Sequence, residues 1–94
     1  MVIVDFASIA TDIAPRMFSS FELGLILRGA EQCLEDYSTE AVDAMLTDWE
    51  TTLLWSLLHG EPQTAEWYMR ALLIVCMRGL RGQIRPDFTW INHD

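Results

Sequence analysis

The chain contains no lysine, so its six basic residues are all arginines, set against 14 aspartates and glutamates. The resulting net charge of −8 disfavours free nucleic acid and anionic membrane as partners, since both would repel a surface of that sign. Histidine is scarce as well. His59 and His93 belong to no Glu-x-x-His or His-Glu-x-x-His pattern, which leaves di-iron and zinc-protease sites without support. The two cysteines, Cys33 and Cys76, show no metal-ligand spacing. They are expected as reduced, buried thiols acting as small apolar side chains, with an interhelical disulfide as the open alternative. No metal and no cofactor is assigned.

Long apolar runs are also missing. The oiliest stretch, Ala71 to Met77, spans seven residues between Arg70 and Arg78, whereas a membrane-crossing helix needs about 20. The opening Met-Val-Ile-Val has no basic flank and is followed by Asp5 and Asp12, so a secretory signal is not expected and a cytoplasmic location is. Catalytic groups are equally hard to assemble. Cys76 lies inside the apolar run, where a thiolate is disfavoured. His59 sits at a helix end, where an imidazolium complements the dipole. Ser19 and Ser20 fit helix caps, and Glu35 and Asp36 are adjacent and so do not share a helix face. No catalytic residue is assigned, and an enzyme is not expected.

What the chain does hold is apolar bulk. Residues of that kind make up 51% of it, and about 56% once glycine is included, against roughly 45–50% in typical domains. Ninety-four residues make one domain near the lower limit for a self-sufficient core. The surplus therefore points to association, and a homodimer is expected.

The periodicity is helical throughout. Gly60 and Pro62 read as a helix stop followed by a helix start, and Ala65, Leu72, Cys76 and Leu80 recur at helical spacing. They set a helix over about 62–80. Before it, Val42, Leu46, Trp49, Leu53 and Leu57 form the stripe of a helix over about 39–59, opened by Ser38-Thr39. So short a link makes the two antiparallel. A helix apolar on all sides must be buried on all sides, either centrally in one bundle or at an interface between subunits. Upstream, Ser19 and Glu22 have capping-box spacing, and Leu23, Leu27, Ala30, Leu34 and Tyr37 make a seam. Gly29 with Cys33 would let another backbone come close, or leave a gap beneath a bulky neighbour. A short helix over residues 6–13, an apolar arm at 1–5 and an aromatic tail at 86–94 complete the chain. The fold class is all-α, a small bundle of three to four helices built on the 39–59 and 62–80 hairpin.

Charge is unevenly placed. Residues 1–66 carry a net of −10 and residues 67–94 a net of +2. Projection at 100° per residue puts Glu40, Asp43 and Glu50 on one acidic face, and Arg70, Arg78, Arg81 and Arg85 on one basic row. Such a row can pair with the acidic face of a neighbouring helix or of a second subunit.

Surplus apolar surface, an acidic front and no assembled chemistry together suggest a protein-interaction module. It would bind and inhibit or restrain a partner protein, as compact acidic inhibitors and anti-activators of phage or mobile-element type do. Trp55, Trp67 and Trp90, with Phe88, Leu54 and Leu58, are the expected partner-binding residues, because tryptophan dominates binding hot spots. The alternatives are a chaperone or adaptor holding a partner helix in an apolar groove, and a nucleic-acid mimic presenting its carboxylates to a basic protein.

Overall fold

The computed structural model describes residue 12 and residues 16–82. The arm at 1–5, the tail at 86–94 with Phe88, Trp90 and His93, and Arg85 lie outside the described residues, as does the helix expected over 6–13 apart from Asp12, which is helical. Among the described residues there are three helices and no strand: α1 (Ser20–Asp36), α2 (Thr39–Leu58) and α3 (Ala65–Leu80).

Each helix begins where a side-chain oxygen takes up an otherwise unpaired backbone donor. Ser19 and Glu22 form the complete capping box. The Ser19 hydroxyl accepts from the Glu22 N–H at 3.2 Å, and the Glu22 carboxylate accepts from the Ser19 N–H at 2.9 Å. These bonds, the backbone one first, hold the Glu22 carboxyl below its ordinary value. Ser38 caps α2 by accepting from the Ala41 N–H at 3.2 Å. The α1–α2 link is therefore only Tyr37 and Ser38, both extended.

The α2–α3 bend is a Schellman turn. Gly60 takes the left-handed conformation at φ +69°, its N–H donates to the Leu57 carbonyl, and the Glu61 N–H donates to the Ser56 carbonyl. The start of α3 differs from the 62–80 expectation. Thr64 is the cap, accepting from the Trp67 N–H at 3.2 Å, and the helix begins at Ala65. Pro62 belongs to the linker, because the Thr64 hydroxyl, two residues on, takes the capping bond and sets the first helical residue at Ala65. At the far end α3 stops at Leu80, with Gly82 left-handed at φ +73°.

The hairpin is antiparallel, as its cross-links show: Glu50 meets Arg78, and seven residues earlier Asp43 meets Arg81. Yet α3 packs more extensively on α1 than on α2, while α1 and α2 touch little. The central helix is thus flanked on two sides. Leu23, Ile26 and Ala30 of α1 and Val42, Leu46 and Leu53 of α2 close over Trp67, Ala71, Leu72, Ile74, Val75, Cys76 and Met77. Of the seven residues from Ala71 to Met77, only Leu73 is not fully buried. One chain therefore covers the oily run, and no second subunit is needed for that purpose. The seam expected on α1 is rotated: Ile26 joins it, and Tyr37, at the C-cap, is exposed.

The core among the described residues contains no polar or charged side chain. Burying each leucine, isoleucine or valine there contributes about 1.5–3 kcal/mol. Cys76 behaves as one of these apolar residues. Burial, with the charge of Glu31 adding to it, pushes its thiol up to about 12, and neither it nor Cys33 is in a disulfide.

Candidate functional site

Among the described residues, Met17, Tyr37, Met69 and Leu80 are exposed singly, and the remaining exposed large apolar side chains pair up in two places. On α1, Phe21 is 74% exposed and Leu25, one turn further, 48%. Gly24 and Gly29 lie on the same helix, and a Cβ built at either meets nothing within 4 Å. Among the described residues of this chain, neither a close backbone nor a bulky neighbour sits against Gly29.

The second place is the α2–α3 bend. Trp55 is 54% exposed and Leu58 59%, although both stand on a regular helix one turn from the Schellman turn. Helix geometry explains why. The α2 stripe of Val42, Leu46 and Leu53 faces α3, so residues two and five positions beyond Leu53 point away from it. Trp55 is not loose. His59 stacks on it with ring centroids 3.8 Å apart, and His59 Nδ1 lies 2.9 Å from the Trp55 carbonyl. A carbonyl only accepts, so Nδ1 carries the proton in that bond. One indole face is thus fixed and covered, and the side chain is presented in a set orientation.

Beside Trp55 an open cavity of about 280 Å³ runs between the last turns of α2 and the first turn of α3. Leu53, Trp55 and Trp67 supply its apolar wall, and Glu61, Glu66 and Arg70 its charges. The Glu61 carboxylate accepts from the Ser56 hydroxyl at 3.0 Å. Arg70 is shared between Glu66, at 3.5 Å, and the Trp49 ring, whose centroid is 6.0 Å from the guanidinium carbon. Trp67 is buried, only 6% exposed, and its Nε1–H finds no acceptor among the described residues. That corrects its expected role. Trp67 forms the floor of the cavity rather than an exposed anchor, because its place in the first turn of α3 aims it at the core. Leu54 is half-buried, so of the expected anchors Trp55 and Leu58 stand out most.

The acidic face has a different fate. Glu50 forms a two-pronged pair with Arg78, in which the Arg78 Nε–H donates to one carboxylate oxygen at 3.0 Å and an Nη2–H to the other. That hydrogen bonding, against some loss of solvent, holds the Arg78 guanidinium above its ordinary value. Asp43 accepts from Arg81 at 2.6 Å. Two of the three acids are therefore bonded to arginines of their own chain, while Glu40 lies exposed in the first turn of α2.

Among the described residues no group of three or more His, Cys, Asp or Glu is gathered so that it could hold a metal ion. None of the described helices is long and apolar enough to cross a membrane. Compared with known proteins, the chain matches no family model, no curated protein and no solved structure.

Proposed function

We propose that this protein is an interaction module that binds and restrains a partner protein, with the α2–α3 bend as its docking surface. The observation that carries the reading is Trp55. A large indole held by its own histidine, more than half exposed and set at the lip of an apolar cavity, has the character of a binding hot spot. Leu58 extends the same patch by nearly one turn. A second apolar patch, Phe21 and Leu25 on α1, is the surface we assign to homodimer formation.

The acidic face is the weaker candidate for the docking role. Glu50 and Asp43 would have to leave Arg78 and Arg81 before they could stand in for phosphates, and breaking such charge-assisted bonds has a cost. The adaptor reading shares the docking surface and differs only in its effect on the partner.

Capture from the native host tests the proposal, using the full chain and its Trp55→Ala variant side by side. A protein retained by the wild type and lost from Trp55→Ala, whose activity falls on binding, is the expected result. An unchanged activity in the complex would favour the adaptor. Equal capture by both chains would contradict the docking surface itself.

A further inference from the structure

The cavity at the bend has features that specify its occupant. Its volume, about 280 Å³, falls just below the roughly 300–1,000 Å³ typical of small-molecule sites. It has room for one large side chain and little else. Its wall is apolar, but its rim is acidic. Glu61 and Glu66 line it, and Asp48 stands one helical turn before the lining residue Thr52, on the same face of α2. Arg70 is the one cation among the lining residues, and Glu66 and the Trp49 ring already engage it. The indole of Trp55 has one face covered by His59 and more than half its surface exposed, which leaves it able to receive a cation. Finally, the buried Trp67 gives this cavity an apolar floor.

We propose that the cavity between Leu53, Trp55 and Trp67 seats one bulky apolar side chain of a partner segment, flanked on that segment by arginine or lysine. This rests on the protein-binding role proposed above and names the chemistry the partner presents. The apolar anchor fills the cavity, and the basic flank meets Asp48, Glu61 and Glu66. The same arrangement excludes acidic segments, which the rim would repel.

The test is a selection from a phage-displayed random-peptide library on the immobilised full chain. Synthetic copies of the enriched peptides are then titrated against the isotope-labelled protein. Expected are peptides with a leucine-, phenylalanine- or tryptophan-type anchor and neighbouring arginine or lysine. Their binding should weaken at least about tenfold with Thr52→Trp, which fills the cavity, and about three- to tenfold with Glu61→Gln plus Glu66→Gln. These fold-changes correspond to the loss of one buried anchor and of rim charge pairs. Circular dichroism establishes that each variant is folded, and the near-isosteric glutamine pair guards against a misfolded Thr52→Trp.

No enrichment, enrichment of acidic or wholly polar peptides, or binding indifferent to both variants would overturn the proposal. Failure of the underlying role looks different. A natural partner lost with Trp55→Ala but retained by Thr52→Trp leaves the docking role standing and removes the anchor-in-cavity proposal. A partner indifferent to Trp55→Ala removes both.

Discussion

Replacing Gly24 and Gly29 with alanine tests whether the outer face of α1 is free within one chain. Both glycines lie inside the 17-residue helix, and a Cβ at either position meets nothing within 4 Å. Within one chain no packing term opposes the change, so helix propensity alone sets its size in the monomeric Phe21→Glu background. Glycine in a helix interior is less favourable than alanine by about 0.8–1.0 kcal/mol. The two sites are about 7.5 Å apart along the axis and share no partner, so their effects should nearly add, to about 1.6–2 kcal/mol. At roughly 4–8 °C per kcal/mol for a domain of this size, the double variant should melt about 6–16 °C higher. Thermal unfolding of the Phe21→Glu chain with and without the two alanines, followed by circular dichroism at fixed pH and protein concentration, reads this directly. A lowered midpoint would refute the reasoning, since it would mean that some group lies against these glycines and is displaced by the new methyls.

Three further outcomes follow from other parts of the structure. Light scattering at micromolar concentration should give twice the 10.8 kDa chain mass, reverting to the monomer with Phe21→Glu; a wild-type monomer throughout would remove the homodimer. A double-mutant cycle between Glu50 and Arg78 should give a coupling of about 1 kcal/mol, exceeding that of Asp43 with Arg81, whose carboxylate is about half exposed. Equal or vanishing couplings in chemical denaturation would count against that ranking. Cys76 should make stability fall at alkaline pH, because its thiol stays protonated to about 12 in the fold but ionises from its ordinary value of 9.0 when unfolded. The native state then binds more protons than the unfolded one. The loss should therefore run between about pH 9 and 12, at no more than roughly 1.4 kcal/mol per pH unit, and Cys76→Ala should flatten the slope. An identical slope in that variant would refute it.

Local signals were the legible ones. Ser19 with Glu22, Ser38 and Gly60 each mark a helix end through a bond to near neighbours in sequence, and each lies where its residue type suggests. The α2 stripe was legible for the same reason, because a two-sided helix records its own orientation in its spacing. The start of α3 was missed because Pro62 and Thr64 offer competing signals two residues apart, and the hydroxyl's bond to Trp67 decided in favour of the threonine. A helix apolar nearly all round carries no stripe. Its sequence could not say that α1 would be its larger cover, or that Trp67 would face inward while Trp55 faced out. The pairing of the arginine row with the acidic face was readable as chemistry, but whether within one chain or between two is a matter of tertiary placement.

The central claim is that the apolar bend, and not the acidic face, holds the partner. It is tested most directly by the partner's dissociation constant for three chains: wild type, Trp55→Ala, and Asp43→Asn plus Glu50→Gln. A hot-spot indole is worth at least about 2 kcal/mol, so Trp55→Ala should weaken binding by roughly thirtyfold or more. The neutralised chain should bind within about threefold of the wild type. The reverse pattern, with binding abolished by neutralisation and untouched by Trp55→Ala, would contradict the account.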